Sequence, residues 1–368
     1  MNVKKLKFVN TKETVFVNNL RARVNSYFEK NGISKFGNGN MVIKTIFMFL
    51  LFFTPYLAMV TGIVSNPGLI VFCWVLMGFG MAGIGLSVMH DANHRAYSKN
   101  SNVNKILSYT LNLLGGFYPN WQHQHNTMHH NFTNIEGFDE DIDPGSVLRF
   151  SPNSPLKKHH RFQHLYAWFL YGLMTLTWSI DKDFKQLFGY LKEGIVLNNK
   201  MSKRRLIIEL IVSKILFYGY ILVIPLIFLP IPWWSVILLY LLMHFISGFL
   251  LSVIFQTAHV MPESDYPLPD ESGSIENNWA IHQLLTTNNY APESKVFSWL
   301  IGGLNYQVEH HLFPTICHIH YRKISIIVRD TVREYNLPYH VRPTFANALV
   351  EHYKMLKKLG RPDYENSK

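Results

Sequence analysis

Gly68–Met89 reads GLIVFCWVLMGFGMAGIGLSVM and runs directly into His90–His94, HDANH. This uncharged run is long enough to cross a bilayer, which takes ~20 apolar residues, and it delivers two histidines and an aspartate to one membrane face. Upstream, Thr45–Ile63 is a second uncharged run, separated from the first by only Val64–Pro67. A turn that short predicts an antiparallel helical hairpin. A second pair follows in Leu206–Leu229 and Ser235–Gln256, joined by Pro230–Trp234, with Trp233 and Trp234 placed for the aromatic belt at a membrane surface. Glu209 and Lys214 interrupt the third run, so its membrane portion is expected to begin near Ile215. The expected fold is all-α and integral to the membrane: four transmembrane helices in two hairpins under a helical cap.

Composition agrees with that division. Of the 368 residues only 16% are charged, well below the ~25% of soluble proteins, and the mean hydropathy is slightly positive at +0.05. The net charge of +11 could suggest nucleic acid, but the basic residues gather in the first 40 residues, in Lys182–Arg205 and after Arg322, with uncharged runs between them. That is the positive-inside pattern of a membrane protein, and no nucleic-acid partner is expected. Neither hairpin turn holds Lys or Arg, so both turns should face outward while both termini and the cap face the cytoplasm. The first 40 residues lack the short apolar core of a signal peptide and read as a cytoplasmic arm. Ile106–Tyr118 and Leu165–Ile180 are shorter apolar stretches, expected as helices of the cap or of the interface. Were Leu165–Ile180 to cross, sequence features on either side of it would face opposite compartments.

Histidine is the outlier: eighteen against two cysteines, Cys73 and Cys317. Three compact groups stand out, His90 and His94, then His125, His129 and His130 with His123 just before them, then His310 and His311 behind Gln307. Residues four apart share a helix face, so His90 with His94, and His125 with His129, can each aim two imidazoles at one cation. His130 and His311 point about a quarter turn away, which lets one segment serve two ions. Imidazole suits iron, zinc, copper or nickel rather than magnesium or calcium. A lone HxxxH pair at a helix end is more often an interfacial or capping pair; three such groups beside membrane runs point to a two-metal site. Asp91, Asp139, Glu140, Asp141 and Asp143 could orient ligand rings, although the last three suit a solvated loop equally. His159, His160 and His164 lie in a basic loop, His244 lies inside the fourth span, and His318, His320, His340 and His352 read as surface residues.

At these residues the chain resembles the integral-membrane fatty acid desaturases, and most closely their front-end branch, in which glutamine replaces the first histidine of the last box. The resemblance rests on Gln122–Asp141, QHQHNTMHHNFTNIEGFDED, on Trp279–Asn289, WAIHQLLTTNN, and on Gly302–Pro314, GGLNYQVEHHLFP, and runs from about Phe47 to Tyr339. It implies a desaturase domain over 41–345, with spans 45–63, 68–89, 206–229 and 235–256 and a cytoplasmic cap of 90–205 and 257–345, followed by a tail, 346–368. It also implies a di-iron centre held by His90, His94, His125, His129, His130, His310 and His311, joined by His259 in FQTAH at the cytoplasmic end of the fourth span. His282, Gln307, His123 and Asp91 are further candidates as ligands or as partners of ligands. Arg95, Lys99, Lys157 and Lys158 could meet a substrate headgroup or the phosphates of coenzyme A.

An unactivated methylene has too strong a C–H bond for any side-chain acid or base, so the implied reaction needs O2 and reduced iron. The substrate implied is a fatty acyl chain carried on coenzyme A or on a lipid, made cis-unsaturated in an apolar tunnel. Front-end relatives often carry a fused cytochrome b5 with an HPGG motif, which this sequence lacks, so a separate donor such as a ferredoxin or cytochrome b5 is expected. That feature also leans towards a bacterial plasma membrane. Two rival readings are a hydroxylase or ketolase of the same superfamily and a membrane metal-binding protein without oxidation chemistry. The latter would place histidines inside the spans, whereas nearly all lie outside.

Overall fold

The computed structural model describes residues 6–9, 14–195, 197 and 201–362; the arm, the first cap segment and the tail each fall partly outside these. Helices dominate. Among the described residues the strands are two short parallel pairs, Lys7–Phe8 with Ser274–Ile275 and Asn288–Tyr290 with His340–Arg342. The chain forms two compact units, one of residues 37–123 and 168–253, the other of 1–36, 124–167 and 254–368.

The unit of 37–123 and 168–253 holds most of the apolar helices. Among the described residues, Gly39–Val60, Pro67–Asn93, Lys203–Phe228 and Trp233–His259 are long and apolar enough to cross a membrane, and the last of these ends in the other unit. The first starts six residues ahead of Thr45 because Asn38 caps it, its side chain accepting the Asn40 and Met41 N–H groups at 3.0 and 3.4 Å. Lys44, just ahead of the expected start, is buried within that helix. Pro67 opens the second helix at its first position behind the Asn66 cap, where the missing N–H costs nothing.

The third helix runs uninterrupted from Lys203. Lys214 does not break it because its ammonium donates to Asp183 Oδ2 at 2.6 Å, to Gly115 O at 2.6 Å and to Trp178 O at 2.8 Å, which uses all three of its protons. Small residues set the helix contacts. A Cβ on Gly80 would lie 2.7 Å from Phe52 N and 2.9 Å from its Cα, so only glycine lets the first two spans approach this closely. Ile43, Leu50, Leu57, Phe72, Ile215 and Ile227 point outward and exposed, as lipid-facing side chains do. The Leu165–Ile180 stretch is not one helix but Gln163–Gly172, Met174–Thr177 and a π-helical turn at Trp178–Lys182, none long enough to cross. Ile106–Tyr118 is similarly broken, with Ser101–Ser108 and Thr110–Leu113 covering part of it. Within the fourth span His244 Nδ1 bonds Thr175 Oγ1 at 3.0 Å.

The other unit is built on a conventional core. The expected N-terminal arm contains a helix, Thr14–Lys30, whose Phe16, Leu20, Val24 and Phe28 recur every fourth residue. They pack with Ile324, Val328 and Val332 of the helix Tyr321–Glu334, and with Leu284, Val308 and Leu312. At ~1.5–3 kcal/mol for each fully buried side chain, that stripe is what holds the arm, and as extended-chain bookkeeping the figure is an upper bound. The exposed Arg23–Glu334 pair at the rim, 2.6 and 2.7 Å, adds little beside it. The helix Gln307–Leu312 rests on this core, and His310 and His311 are both on it.

Candidate metal centre

The second histidine group does not sit on an α-helix. Gln122–His129 is π-helical, a form in which residues five apart come together. His125 is therefore drawn towards His130, with Nε2 to Nε2 3.2 Å, rather than being paired with His129 alone as the spacing suggested. His129 turns instead towards His259 and His311, and ligand atoms of these three lie within 4.8 Å of one another. His310 joins the other side, its ring 4.5 Å from that of His130. Six histidines of this unit, His125, His129, His130, His259, His310 and His311, thus form one buried cluster.

Each of four rings is held by its Nδ1, which leaves Nε2 to face its neighbours. His129 Nδ1 donates to both oxygens of the buried Asp139 at 3.1 Å. His311 Nδ1 donates to Gln283 Oε1 at 2.8 Å, His259 Nδ1 to the Thr286 carbonyl at 3.3 Å, and His310 Nδ1 bonds the Tyr321 hydroxyl at 3.1 Å. Outer partners of this kind fix the tautomer and orientation of metal-ligating histidines. His259 Nε2 is buried with no hydrogen-bond partner among the described residues, a loss of ~1–3 kcal/mol unless something is bound there. A transition-metal cation fits that donor set, and iron is among the ions imidazole suits.

The electrostatics are biased the same way. Burial works against a charge on His129, but the carboxylates of Asp139 and Asp141 outweigh it and raise the ring to about 9. Asp141 is no solvated bystander, since it accepts from Gln124 Nε2 at 2.6 Å and lies 3.4 Å from His129 Nδ1. Asp143 is exposed and accepts the Gly145 N–H at 3.1 Å. In the third box Glu309 is buried between two donors, Asn289 Nδ2 and the Tyr339 hydroxyl, both at 2.8 Å. Burial raises it to about 7. Asn289 Oδ1 also accepts the Val308 N–H at 2.9 Å, which clamps the start of the helix.

The remaining expected residues fall as follows. His90 and His94 stand together in the unit of 37–123 and 168–253, ring centroids 4.8 Å apart, just after a π-helical turn at Ile84–Met89. Asp91 is buried with its carboxylate 3.8 Å from His90 Nδ1. His123 packs edge-on against Tyr190. Gln307 is buried and its Nε2 has no hydrogen-bond partner among the described residues. His282 is buried against Phe8 and belongs to no group of clustered ligand atoms among the described residues; burial pushes it down to about 4. Arg95 and Lys99 are exposed in one unit, Lys157 and Lys158 in the other. His318 and His352, expected at the surface, are buried, and His352 Nδ1 donates to the Val260 carbonyl at 2.9 Å. Gln283, Tyr321 and Asn289 were not singled out from sequence. The first and last lie inside the quoted WAIHQLLTTNN stretch, where their polar side chains among apolar neighbours were the available signal.

Comparison with known proteins gives an independent view. A family model described as fatty acid desaturase matches residues 65–343. The sn-1 linoleoyl-lipid 6-desaturase of Synechocystis sp. is 33% identical over 365 residues, covering 98% of this chain and 99% of that one. The acyl-lipid (8-3)-desaturase of Physcomitrium patens is 35% identical over 350 residues, covering 94% and 72%. A sn-1 linoleoyl-lipid 6-desaturase from Arthrospira platensis is 34% identical over 352 residues, covering 94% and 92%.

Proposed function

This chain belongs to the fatty acid desaturase family, and from that premise we propose that it is a front-end desaturase acting on an acyl chain carried by a lipid, with O2 and iron. It is an oxidoreductase of the membrane. The balanced reaction turns –CH2–CH2– into a cis –CH=CH–, with O2, two electrons and two protons giving two waters. Two iron ions held by histidine would supply the oxidising chemistry. The observation that carries this reading is the buried cluster of six imidazoles, four of them fixed by Nδ1 bonds.

In this assignment His125, His129, His130, His259, His310 and His311 bind iron through this unit's cluster, and the sequence pattern adds His90 and His94. Asp139 and Asp141 place negative charge beside His129 and make its ring a stronger base. Gln283, Tyr321 and the Thr286 carbonyl stop three further rings from rotating. Burial of the cluster excludes water, which keeps the oxidant from side reactions. The relatives named for lipid-bound substrates favour a lipid carrier over coenzyme A. The family domain is assigned to 41–345, with the metal ligands and both termini on the cytoplasmic face of a bacterial plasma membrane and electrons arriving from a separate ferredoxin or cytochrome b5. The distribution of Lys and Arg supports that orientation.

The test is expression in a host of defined lipid content with a reducing partner, followed by analysis of double-bond position by lipid class. A new cis-unsaturated acid in a membrane lipid is expected. Its absence with donor present would remove the proposal, and a hydroxy acid would favour the hydroxylase reading. Iron should be retained near two per chain, and His129→Ala or His310→Ala should abolish turnover with the protein still in the membrane.

A further inference from the structure

Lined by none of the six clustered histidines, an open cleft of ≈ 860 Å³ in the unit of 1–36, 124–167 and 254–368 has an unusual lining. Lys157, Lys158 and Arg161 come from the turn at 157–162, and Lys357 and Arg361 from the end of the helix Phe345–Leu359. Among the described residues no carboxylate pairs with any of these five cations. Beside them Leu156, Phe162 and Leu165 are exposed.

The cleft is built rather than incidental. Gln163 Nε2 donates to the Leu356 and Arg149 carbonyls at 2.8 and 3.0 Å, and Arg149 Nη1 donates to the Leu359 carbonyl at 2.7 Å. These buried bonds satisfy carbonyls at the helix C-terminus and hold it against the turn. Gly360 permits the contact, since a Cβ there would lie 2.1 Å from the His160 carbonyl oxygen. The concentration of positive charge is felt nearby. His164 at the cleft is lowered from the usual imidazole range by burial, then by Lys357 and Arg361.

We propose that this cleft is a binding site for the phosphate headgroup of an anionic membrane phospholipid, separate from the catalytic centre. Five cations that pair with no carboxylate among the described residues, beside three exposed apolar side chains, match an amphiphile whose phosphate and acyl region adjoin. Basic and apolar residues combined in this way bind anionic interfaces by charge and by shallow insertion. A soluble anion would use the cations but leave Leu156, Phe162 and Leu165 uncovered.

The test uses the full chain in nanodiscs of phosphatidylcholine alone or of phosphatidylcholine mixed with phosphatidylglycerol. Phosphatidylglycerol should slow amide exchange in 157–165 and 356–361, and the detergent-purified protein should retain it over phosphatidylcholine in native mass spectrometry. In the variant Arg161→Gln, Lys357→Gln, Arg361→Gln both effects should vanish, with preference falling by up to about a hundred-fold, at about five-fold per cation. Unchanged iron content, thermal midpoint and turnover in neutral lipid establish that the variant is folded. Equal exchange in the two lipids, or a preference that survives in the variant, would overturn the proposal. Displacement of phosphatidylglycerol by inorganic phosphate or by coenzyme A alone would overturn it too, by marking the cleft as a site for a soluble anion or a thioester carrier.

Discussion

Replacing Asp139 by asparagine tests whether the metal centre depends on its outer partners. The carboxylate has three duties. Both oxygens lie 3.1 Å from His129 Nδ1, Oδ2 accepts the Asn134 N–H at 2.8 Å, and Oδ1 accepts the Asp141 N–H at 2.9 Å. Asparagine keeps the shape but offers one acceptor oxygen and an amide that can only donate, so one of these three donors loses its partner. A buried donor left unsatisfied costs ~1–3 kcal/mol of stability. Loss of an outer partner weakens metal binding by ~10–100-fold, and Asp141 at 3.4 Å from the same Nδ1 should substitute in part, which favours the lower end, about ten-fold or ~1.4 kcal/mol. Competition with a graded series of chelators measures the iron affinity, thermal unfolding measures the stability, and product analysis follows turnover. Asp143→Asn, in the same loop but exposed, is the control and should change none of them. If Asp139→Asn loses stability yet holds iron within two-fold of the parent, the carboxylate is a structural residue of the loop and the orienting role assigned to it is wrong.

Three other outcomes follow from the packing. Lys214→Met strands the buried Asp183 carboxylate and should destabilise the protein by ~3–5 kcal/mol, read as thermal unfolding in detergent, with Asp183→Asn in the same chain restoring part of the loss; a neutral single variant would contradict the three-bond description of Lys214. Gly80→Ala puts a methyl 2.7 Å from backbone that cannot rotate away, so it should cost ~1–3 kcal/mol, and a variant as stable as the parent would show that the first two spans are not in tight contact. Burial lowers His352 from 6.5 to about 4, so between those values the unfolded chain takes up a proton that the folded chain refuses. Stability should therefore fall as pH drops from about 6.5 towards 4, by at most ~3 kcal/mol from this group, and His352→Gln should flatten that part of the curve; an unchanged slope would place the acid sensitivity elsewhere.

How much of this was legible varies with the range of the interaction. Spans are local in origin, since length and lack of charge suffice, and the four apolar helices lie where the runs are. Their ends were less legible, because Lys214 looks like a boundary until its burial and its partners Asp183, Gly115 and Trp178 are known. The stripe Phe16, Leu20, Val24 and Phe28 was available in the sequence at a four-residue period but was masked by the basic residues between its members, which drew attention to charge. His352 was misjudged because a histidine near a lysine-rich C-terminus looks solvated, whereas its helix turns that side inward. Asp139 could be suspected from its closeness in sequence to His129. Gln283 and Tyr321 hold His311 and His310 across gaps that the tertiary fold alone closes.

The most informative departure is the π geometry. Spacing rules assume an α-helix, and by them His125 and His129 share a face while His130 stands apart. One extra residue per turn rotates everything downstream by about 100°, which is how His130 comes to face His125 while His129 reaches the neighbours His259 and His311. A second π turn, Ile84–Met89, immediately precedes His90. Such turns have poorer hydrogen bonding than an α-helix and are seldom kept without a use. Of the four π turns among the described residues, Ile84–Met89 and Gln122–His129 adjoin or contain a histidine group, where the wider turn resets the direction in which imidazoles point, while Trp178–Lys182 and Gly219–Val223 lie apart from these groups. The histidine spacing in the sequence therefore identifies which residues assemble, while the local widening of the helix decides which of the rings face one another.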